Sequence, residues 1–168
     1  MNYTIVIDYQ KDFIDGSLRN EEAIKIRQNV INRIQEGIKN NNKLIFTKDT
    51  HTDNYLDTYE GKNLPIKHCI KGTIGHDIDS IVLASFKYPY QVIEKPTFGY
   101  KDWKLENPEN IYMFGVCTDI CVISNALILK SLYPNTNIYV YSDACAGLTI
   151  EKHESALNVM QSCQIKVL

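Results

Sequence analysis

Short apolar segments that alternate with stretches of helical spacing are the feature that most constrains the fold of this chain. Five segments are rich in β-branched and aromatic residues, and they span residues 3–7, 43–47, 90–94, 111–116 and 137–141. Apolar residues at helical spacing predict helices over residues 21–39, 78–83, 121–132 and 151–163, with a short edge strand at residues 165–168. This alternation predicts a three-layer, Rossmann-like α/β fold, in which a mainly parallel sheet carries helices on both faces.

Size and composition narrow the class of protein. The 168 residues fit a single domain spanning residues 1–168. A hydrophobic share of 44% and a charged share of 23% are ordinary for a globular protein, and a net charge of -2 provides no basic face for nucleic acid. We therefore expect neither a nucleic-acid partner nor a membrane partner, since no apolar run is long enough to cross a bilayer.

The number and spacing of the cysteines indicate the cellular compartment of the protein. The chain has five scattered cysteines and begins without a basic stretch followed by an apolar signal region. An odd number of cysteines in such a chain argues against a disulfide framework. We expect a cytoplasmic protein with reduced thiols.

Polar residues follow the predicted strands. They are Asp8, Asp49 with His51, Lys95, the segment 117–121, and Asp143. Binding sites of parallel sheets lie beyond the carboxyl ends of the strands. The sequence therefore predicts that the chemistry of this chain lies at one edge of the sheet.

Cys121 is the candidate nucleophile. An apolar strand ends at residue 116, and Thr118 and Asp119 can cap a following helix, which places Cys121 in its first turn. Unpaired backbone N–H groups and the helix dipole favour a thiolate there. The alternative is that Cys121 is a small buried hydrophobic residue.

Asp8 and Lys95 are the candidate base and the candidate cation for a thiol nucleophile. A carboxylate can accept the thiol proton, and an ammonium group can stabilise the thiolate. Each residue also has a simpler interpretation, since Asp8 can cap a turn and Lys95 can be a solvated surface charge. Their convergence with Cys121 at one sheet edge favours a site.

A second group of candidate ligands lies in or beside the long segment 52–75, which lacks clear periodicity. Asp49 and His51 project to one side of an extended chain, and Glu60 and His68 follow. Carboxylate and imidazole ligands suit zinc, iron or manganese. His76 and His153 have no such partners, and we interpret them as structural or solvent-facing.

Five segments occur in an order that is typical of one enzyme family. They are residues 6–13, 49–51, 64–75, 95–99 and 115–122. Through them the chain resembles the nicotinamidases, within the isochorismatase-like cysteine hydrolases, over residues 3–155. The Asp, Lys and Cys segments mark the superfamily, whereas the Asp-x-His and Pro-x-x-His-Cys segments mark its metal-binding branch.

The resemblance implies a fold and a set of site residues. It implies a six-stranded parallel sheet, a catalytic triad of Asp8, Lys95 and Cys121, and a cis peptide bond before Cys117. The backbone N–H groups of Cys117 and Cys121 would form the oxyanion hole. The implied metal ligands are Asp49, His51, His68 and Glu60, and the implied pocket walls are Phe13, Phe98, Trp103 and Leu64, the last of which stands where many nicotinamidases have Trp.

The function that the resemblance implies is hydrolysis of nicotinamide to nicotinate and ammonia through a thioester, as in NAD salvage. The cofactor would be a divalent metal, with zinc favoured over iron or manganese, and the partner a small carboxamide. Two alternatives stay open: a related cysteine amidohydrolase for another carboxamide or a ureido substrate, and a non-catalytic metal- or ligand-binding module in which Cys117 and Cys121 form a redox or metal pair. The sequence leaves a homo-oligomer open.

Overall fold

A parallel sheet of six strands organises the chain. The computed structural model describes residues 1–168, and its strands lie in the order β3-β2-β1-β4-β5-β6, with every pairing parallel. The strands are β1 Asn2–Ile7, β2 Lys43–Asp49, β3 Tyr90–Lys95, β4 Asn110–Val116, β5 Asn137–Ala146 and β6 Lys166–Val167. The predicted six-stranded α/β fold is confirmed.

Seven helices cover the two faces of the sheet. They are α1 Lys11–Ile14, α2 Glu21–Lys25, α3 Arg27–Lys39, α4 Tyr59–Asn63, α5 Ser80–Ala84, α6 Ile123–Leu132 and α7 Ile150–Ser162. The helix α3 packs against β1, β2 and β5, whereas α7 packs against α6, β5 and β6. None of the helices is long and apolar enough to span a bilayer.

The central strand β1 fixes the place of the site. Its residues from Tyr3 to Ile7 are all buried, as expected for a strand that is covered on both faces. β1 pairs with β2 on one side and with β4 on the other, so the direction of winding reverses between β1 and β4. A reversal of this kind opens a crevice at the carboxyl ends of the strands, where β1 leads to Asp8 and β4 leads to Cys117.

Two predicted elements differ from the structure. The helix predicted over residues 21–39 is divided into α2 and α3 at Ile26, whose backbone departs from the helical path. The segment 52–75 contains α4 and two single 3₁₀ turns, Tyr55–Asp57 and Ile74–His76, which are too short to give a periodic sequence signal.

The prediction that Asp143 lies at the site is wrong. β5 continues to Ala146, so Asp143 lies within the strand rather than beyond its end. Its carboxylate accepts a hydrogen bond of 2.9 Å from the guanidinium of Arg33 on α3. Asp143 therefore joins a helix to the sheet and takes no part in the crevice.

Gly115 makes the close approach of β4 to β1 possible. It has a φ of +132°, and a Cβ atom at this position would press into the carbonyl group of Ile7. We expect Gly115→Ala to lower the free energy of unfolding by about 4 kcal/mol, because it combines backbone strain with overpacking. Gly72→Ala is the matched control, since Gly72 also has a positive φ of +86° but faces open space, and we expect a loss of about 1 kcal/mol. Urea denaturation of the two variants measures the difference, and equal losses would contradict this account.

Candidate active site

Asp8, Lys95 and Cys121 meet at the carboxyl edge of the sheet. Asp8 follows β1 with a φ of +47°, Lys95 ends β3, and Cys121 follows β4. The Lys95 Nζ atom lies 2.5 Å from Asp8 Oδ2 and 3.6 Å from Cys121 Sγ. All three side chains are buried, so the ammonium group bridges a carboxylate and a thiol away from water.

Burial and charge set the protonation of these three groups. Burial raises the pKa of Asp8, and the neighbouring Lys95 ammonium partly offsets this effect. Burial opposes the charge of Lys95, but the charges of Asp8, Cys121 and Asp49 outweigh it and hold the Lys95 pKa above its ordinary value. Burial and the negative charge of Asp8 raise the pKa of Cys121 well above that of a free thiol. The resting nucleophile is therefore a thiol, which lies beside the Lys95 ammonium ion and the carboxyl group of Asp8.

The turn that carries Cys121 differs from the predicted helix start. Thr118–Val122 forms a π-helical turn, and α6 begins only after it. Thr118 and Asp119 do not cap a helix: the Thr118 hydroxyl is hydrogen-bonded to His153 Nδ1 on α7 at 2.8 Å, and Asp119 accepts a bond from the Leu148 N–H. The π turn depends on these contacts with a distant part of the chain.

The peptide bond between Val116 and Cys117 is cis, as the resemblance implied.

Four candidate metal ligands lie beside the thiol. Asp49, His51, Glu60 and His68 each offer a ligand atom, and these atoms all lie within 4.8 Å of one another. The Nε2 atoms of the two histidines lie 2.9 Å and 3.3 Å from Asp49 Oδ2, and 3.6 Å and 3.7 Å from Glu60 Oε1. The structure thus brings together all four residues that the sequence nominated.

The chemistry of this cluster fits a divalent cation. Asp49 Oδ1 is buried without a hydrogen-bond partner, and the Lys95 Nζ atom lies 3.9 Å from it. A buried oxygen without a hydrogen bond is costly unless another group satisfies it. The His68 Nδ1 atom lies 2.8 Å from the Ile66 carbonyl, which fixes the tautomer that leaves Nε2 free as a ligand. Burial and the charge of Asp49 raise the pKa of Glu60, because two carboxylates crowd one site. A divalent metal would relieve this crowding and would be held by the four side chains.

A cavity of about 950 Å³ leads to both groups of residues. Cys117, Cys121, Asp49, Glu60 and His68 line its inner part, and the predicted wall residues that line it are Phe13, Leu64 and Phe98. Asp8, Lys95 and His51 are buried behind this lining.

The structure places Trp103 away from the cavity. Its side chain is buried in the core, where its indole N–H donates to Asn125 Oδ1 at 3.2 Å and its ring packs on Tyr100. The expectation that Trp103 walls the pocket is therefore wrong.

Three residues that support the site were not identified from the sequence. The Thr47 hydroxyl donates to Asp8 Oδ1 at 2.6 Å and accepts a bond from the Asp8 N–H. The Gln10 side chain holds both the N–H and the carbonyl of Asp49. Asn125 is fully buried and donates to the carbonyls of Phe98 and Cys121. The only sequence signal for Asn125 is its position one helical turn after Cys121.

Asn125 connects the nucleophile turn to the loop after Lys95. Its Oδ1 accepts bonds from the Tyr100 N–H and the Trp103 indole, so both sides of the amide are satisfied. Asn125→Asp replaces a donor with an acceptor that faces the carbonyls of Phe98 and Cys121, and we expect it to lower the free energy of unfolding by about 1–3 kcal/mol. Thermal unfolding tests this, with the exposed Asn158→Asp on α7 as the control. Equal stability of the two variants would contradict the role of Asn125.

Comparison with known proteins identifies relatives. The isochorismatase domain model matches residues 3–168. An uncharacterized isochorismatase family protein of Bacillus subtilis is 29% identical over 92% of this chain and 91% of its own length.

Solved structures share the fold over nearly the whole chain. A pyrazinamidase/nicotinamidase from Streptococcus mutans superposes with a TM-score of 0.87 at 25% identity, over 100% of both chains. A pyrazinamidase of Pyrococcus horikoshii, solved in complex with zinc, has a TM-score of 0.79 at 27% identity, over 99% of this chain and 98% of that chain.

Proposed function

This chain belongs to the isochorismatase family, and from that premise we propose that it is a metal-dependent nicotinamidase, which hydrolyses nicotinamide to nicotinate and ammonia through a thioester on Cys121. The relative from Streptococcus mutans carries the name pyrazinamidase/nicotinamidase. The proposal extends that activity to this chain.

One observation carries the proposal. The Lys95 ammonium lies 2.5 Å from the Asp8 carboxylate and 3.6 Å from the Cys121 thiol, and the same cavity opens onto the cluster of Asp49, Glu60 and His68. A carboxylate, an ammonium group and a thiol thus lie beside side chains that could orient a polar ring. Such an arrangement suits acyl transfer from a small amide.

The first half of the reaction releases ammonia. Asp8 accepts the thiol proton, and Lys95 stabilises the thiolate as Sγ attacks the carboxamide carbon. The developing oxyanion accepts hydrogen bonds from the backbone N–H groups of Cys117 and Cys121. The oxyanion then collapses, the C–N bond breaks, and Asp8 returns its proton to the leaving nitrogen. Ammonia departs and a thioester remains.

The second half restores the enzyme. Asp8, again a carboxylate, takes a proton from water while the water oxygen attacks the thioester carbon. The C–S bond breaks, the Cys121 sulfur regains the proton from Asp8, and nicotinic acid departs, which loses its proton to solvent to give nicotinate. Burial raises the pKa of Asp8, which makes its carboxylate a stronger base toward the thiol and toward water.

The proposed cofactor is zinc. A divalent metal held by Asp49, His51, Glu60 and His68 would supply a Lewis acid that binds the pyridine nitrogen. The donor set of two imidazoles and two carboxylates suits zinc, although iron and manganese accept the same ligands, and the relative from Pyrococcus horikoshii was solved with zinc.

The two competing functions fit the site less well. A ureido or carbamoyl substrate has no ring nitrogen to use the histidine cluster. A redox pair of Cys117 and Cys121 requires two activated thiols. Burial raises the pKa of Cys117 to about 12, and the Lys95 ammonium contacts the Cys121 thiol instead.

Ammonia release tests the proposal directly. We expect the zinc-loaded protein to release ammonia from nicotinamide and from pyrazinamide at a rate that is proportional to enzyme, and to release little from carbamoyl and ureido compounds. Nicotinate should appear in equal amount by chromatography. Turnover of the ureido compounds alone would assign the chain to a different amidohydrolase, and no turnover of any amide would overturn the enzyme proposal.

A further inference from the structure

The cavity is much larger than the substrate proposed for it. Its volume of about 950 Å³ lies at the upper end of the range of about 300–1,000 Å³ for pockets that enclose drug-sized ligands. Nicotinamide is one six-membered ring with one carboxamide group. A substrate of that size leaves most of the cavity unfilled.

The cavity has two chemically different parts. Its inner part is buried and polar and contains Cys121, Asp49 and His68. Its outer part carries four large apolar side chains that are unusually exposed, which we call the apolar mouth: Tyr59 (86% exposed), Leu148 (52%), Phe98 (45%) and Leu64 (37%). Exposed apolar side chains that cluster around one cavity mark a binding surface.

The charges around the cavity exclude one kind of occupant. Arg19 is the only Arg or Lys side chain in the lining, and its Nε atom already lies 2.9 Å from Glu21. Glu22, also in the lining, pairs with Lys25 at 2.6 Å. No unpaired Lys or Arg in the lining is available for a phosphate or carboxylate group. The lining therefore offers no free cation to an anionic group, and the four exposed apolar side chains favour an apolar one.

We propose that the apolar mouth is a second part of the substrate site, which takes an uncharged alkyl or aryl substituent carried by the carboxamide substrate. This inference rests on the proposed amide hydrolysis and names its substrate class more closely. The inner part of the cavity would hold the reacting amide, while Leu148, Tyr59 and Phe98 cover the substituent.

A set of three matched substrates tests the inference. They are nicotinamide, nicotinamide with a butyl group on C5, the ring carbon bonded neither to the pyridine nitrogen nor to the carbon that bears the carboxamide, and the same compound with a carboxypropyl group in place of butyl. Each buried methylene is expected to lower KM about fourfold, so even partial burial of the butyl group should place KM for the butyl compound at least about tenfold below that for nicotinamide. The carboxypropyl compound, which is similar in length but anionic, should show no such gain.

A double variant assigns the gain to the mouth. We expect Tyr59→Ser/Leu148→Ser to reduce the preference for the butyl compound over nicotinamide at least about fivefold, because both side chains are exposed and their removal takes away only apolar contact. Val159→Ser on α7 is the control, since Val159 is similarly exposed (47%) and lies outside the cavity. It should leave the preference unchanged.

The outcomes separate the inference from the function on which it rests. Hydrolysis of nicotinamide without a gain for the butyl compound overturns the inference and leaves the nicotinamidase proposal intact. Hydrolysis of the butyl compound but not of nicotinamide supports the inference and corrects the substrate. Hydrolysis of neither overturns both. Sedimentation that shows a dimer dissociated by the double variant would make the mouth a contact between two copies and would overturn the inference.

Discussion

Cys121→Ala is expected to abolish amide hydrolysis while leaving the fold in place. The substitution removes the only thiol within contact of Lys95, whose ammonium lies 3.6 Å from Sγ. Without a nucleophile the remaining groups cannot form the thioester, and we expect kcat to fall by at least about 10⁴-fold. Ammonia release from nicotinamide measures the loss, and mass spectrometry of the wild-type protein during turnover should detect the acyl adduct on Cys121.

The control for this variant is a second cysteine substitution. Cys163→Ala removes an exposed thiol at the end of α7, far from the cavity, and should retain full activity. Nicotinate binding to Cys121→Ala, measured by calorimetry, should persist, because the cavity and the ligand cluster are unchanged. Activity that survives Cys121→Ala would overturn the thioester mechanism, even if the protein proved to be an amidase by another route.

The fold was predictable because its signals are local. β1 and β4 are largely apolar runs that end just before Asp8 and Cys117, so both could be identified without knowing their partners. The rule failed for β5, which continues past Asp143. The ends of the predicted strands indicated Asp8, Lys95 and Cys121 as candidate site residues. In the structure Lys95 contacts both Asp8 and Cys121. The Asp-x-His spacing likewise predicted that Asp49 and His51 lie on one side of an extended segment, and the structure brings Glu60 and His68 to them.

The supporting residues were not predictable because their roles depend on distant partners. Thr47 reaches Asp8 only because β2 pairs with β1, with Val6 opposite Phe46. The π turn is coupled to α7 through His153, which lies 35 residues beyond Thr118. The resemblance implied that Trp103 walls the pocket, but Asn125 Oδ1 accepts a hydrogen bond from its indole N–H within the core. No pattern in the sequence around Trp103 indicates that Asn125 is its hydrogen-bond partner.

Removal of the metal is the second change with a large expected effect. The four ligand atoms lie within 4.8 Å of one another, and the buried Asp49 Oδ1 has no hydrogen-bond partner. We therefore expect the purified protein to contain one divalent ion per chain. His51→Gln removes one of the two imidazoles and should reduce the bound metal at least about tenfold and nicotinamide hydrolysis at least about 100-fold. The three ligands that remain bind the ion less tightly, and the substrate ring loses its anchor.

Metal content and thermal stability distinguish a lost ligand from a damaged fold. His153→Gln is the matched control for metal content, since His153 lies on α7 outside the cluster, and it should retain the ion. Chelation of the wild-type protein should lower its melting temperature, because a ligand that binds only the folded state stabilises it and because the crowded carboxylates of Asp49 and Glu60 then repel each other without compensation. Adding zinc back should restore both the melting temperature and hydrolysis. Adding iron or manganese instead, and comparing the rates of hydrolysis, shows which ion the site prefers. Full hydrolysis by the metal-free protein would contradict the assigned role of the cluster, whereas a stable but inactive metal-free protein would establish that the four side chains serve the substrate rather than the fold.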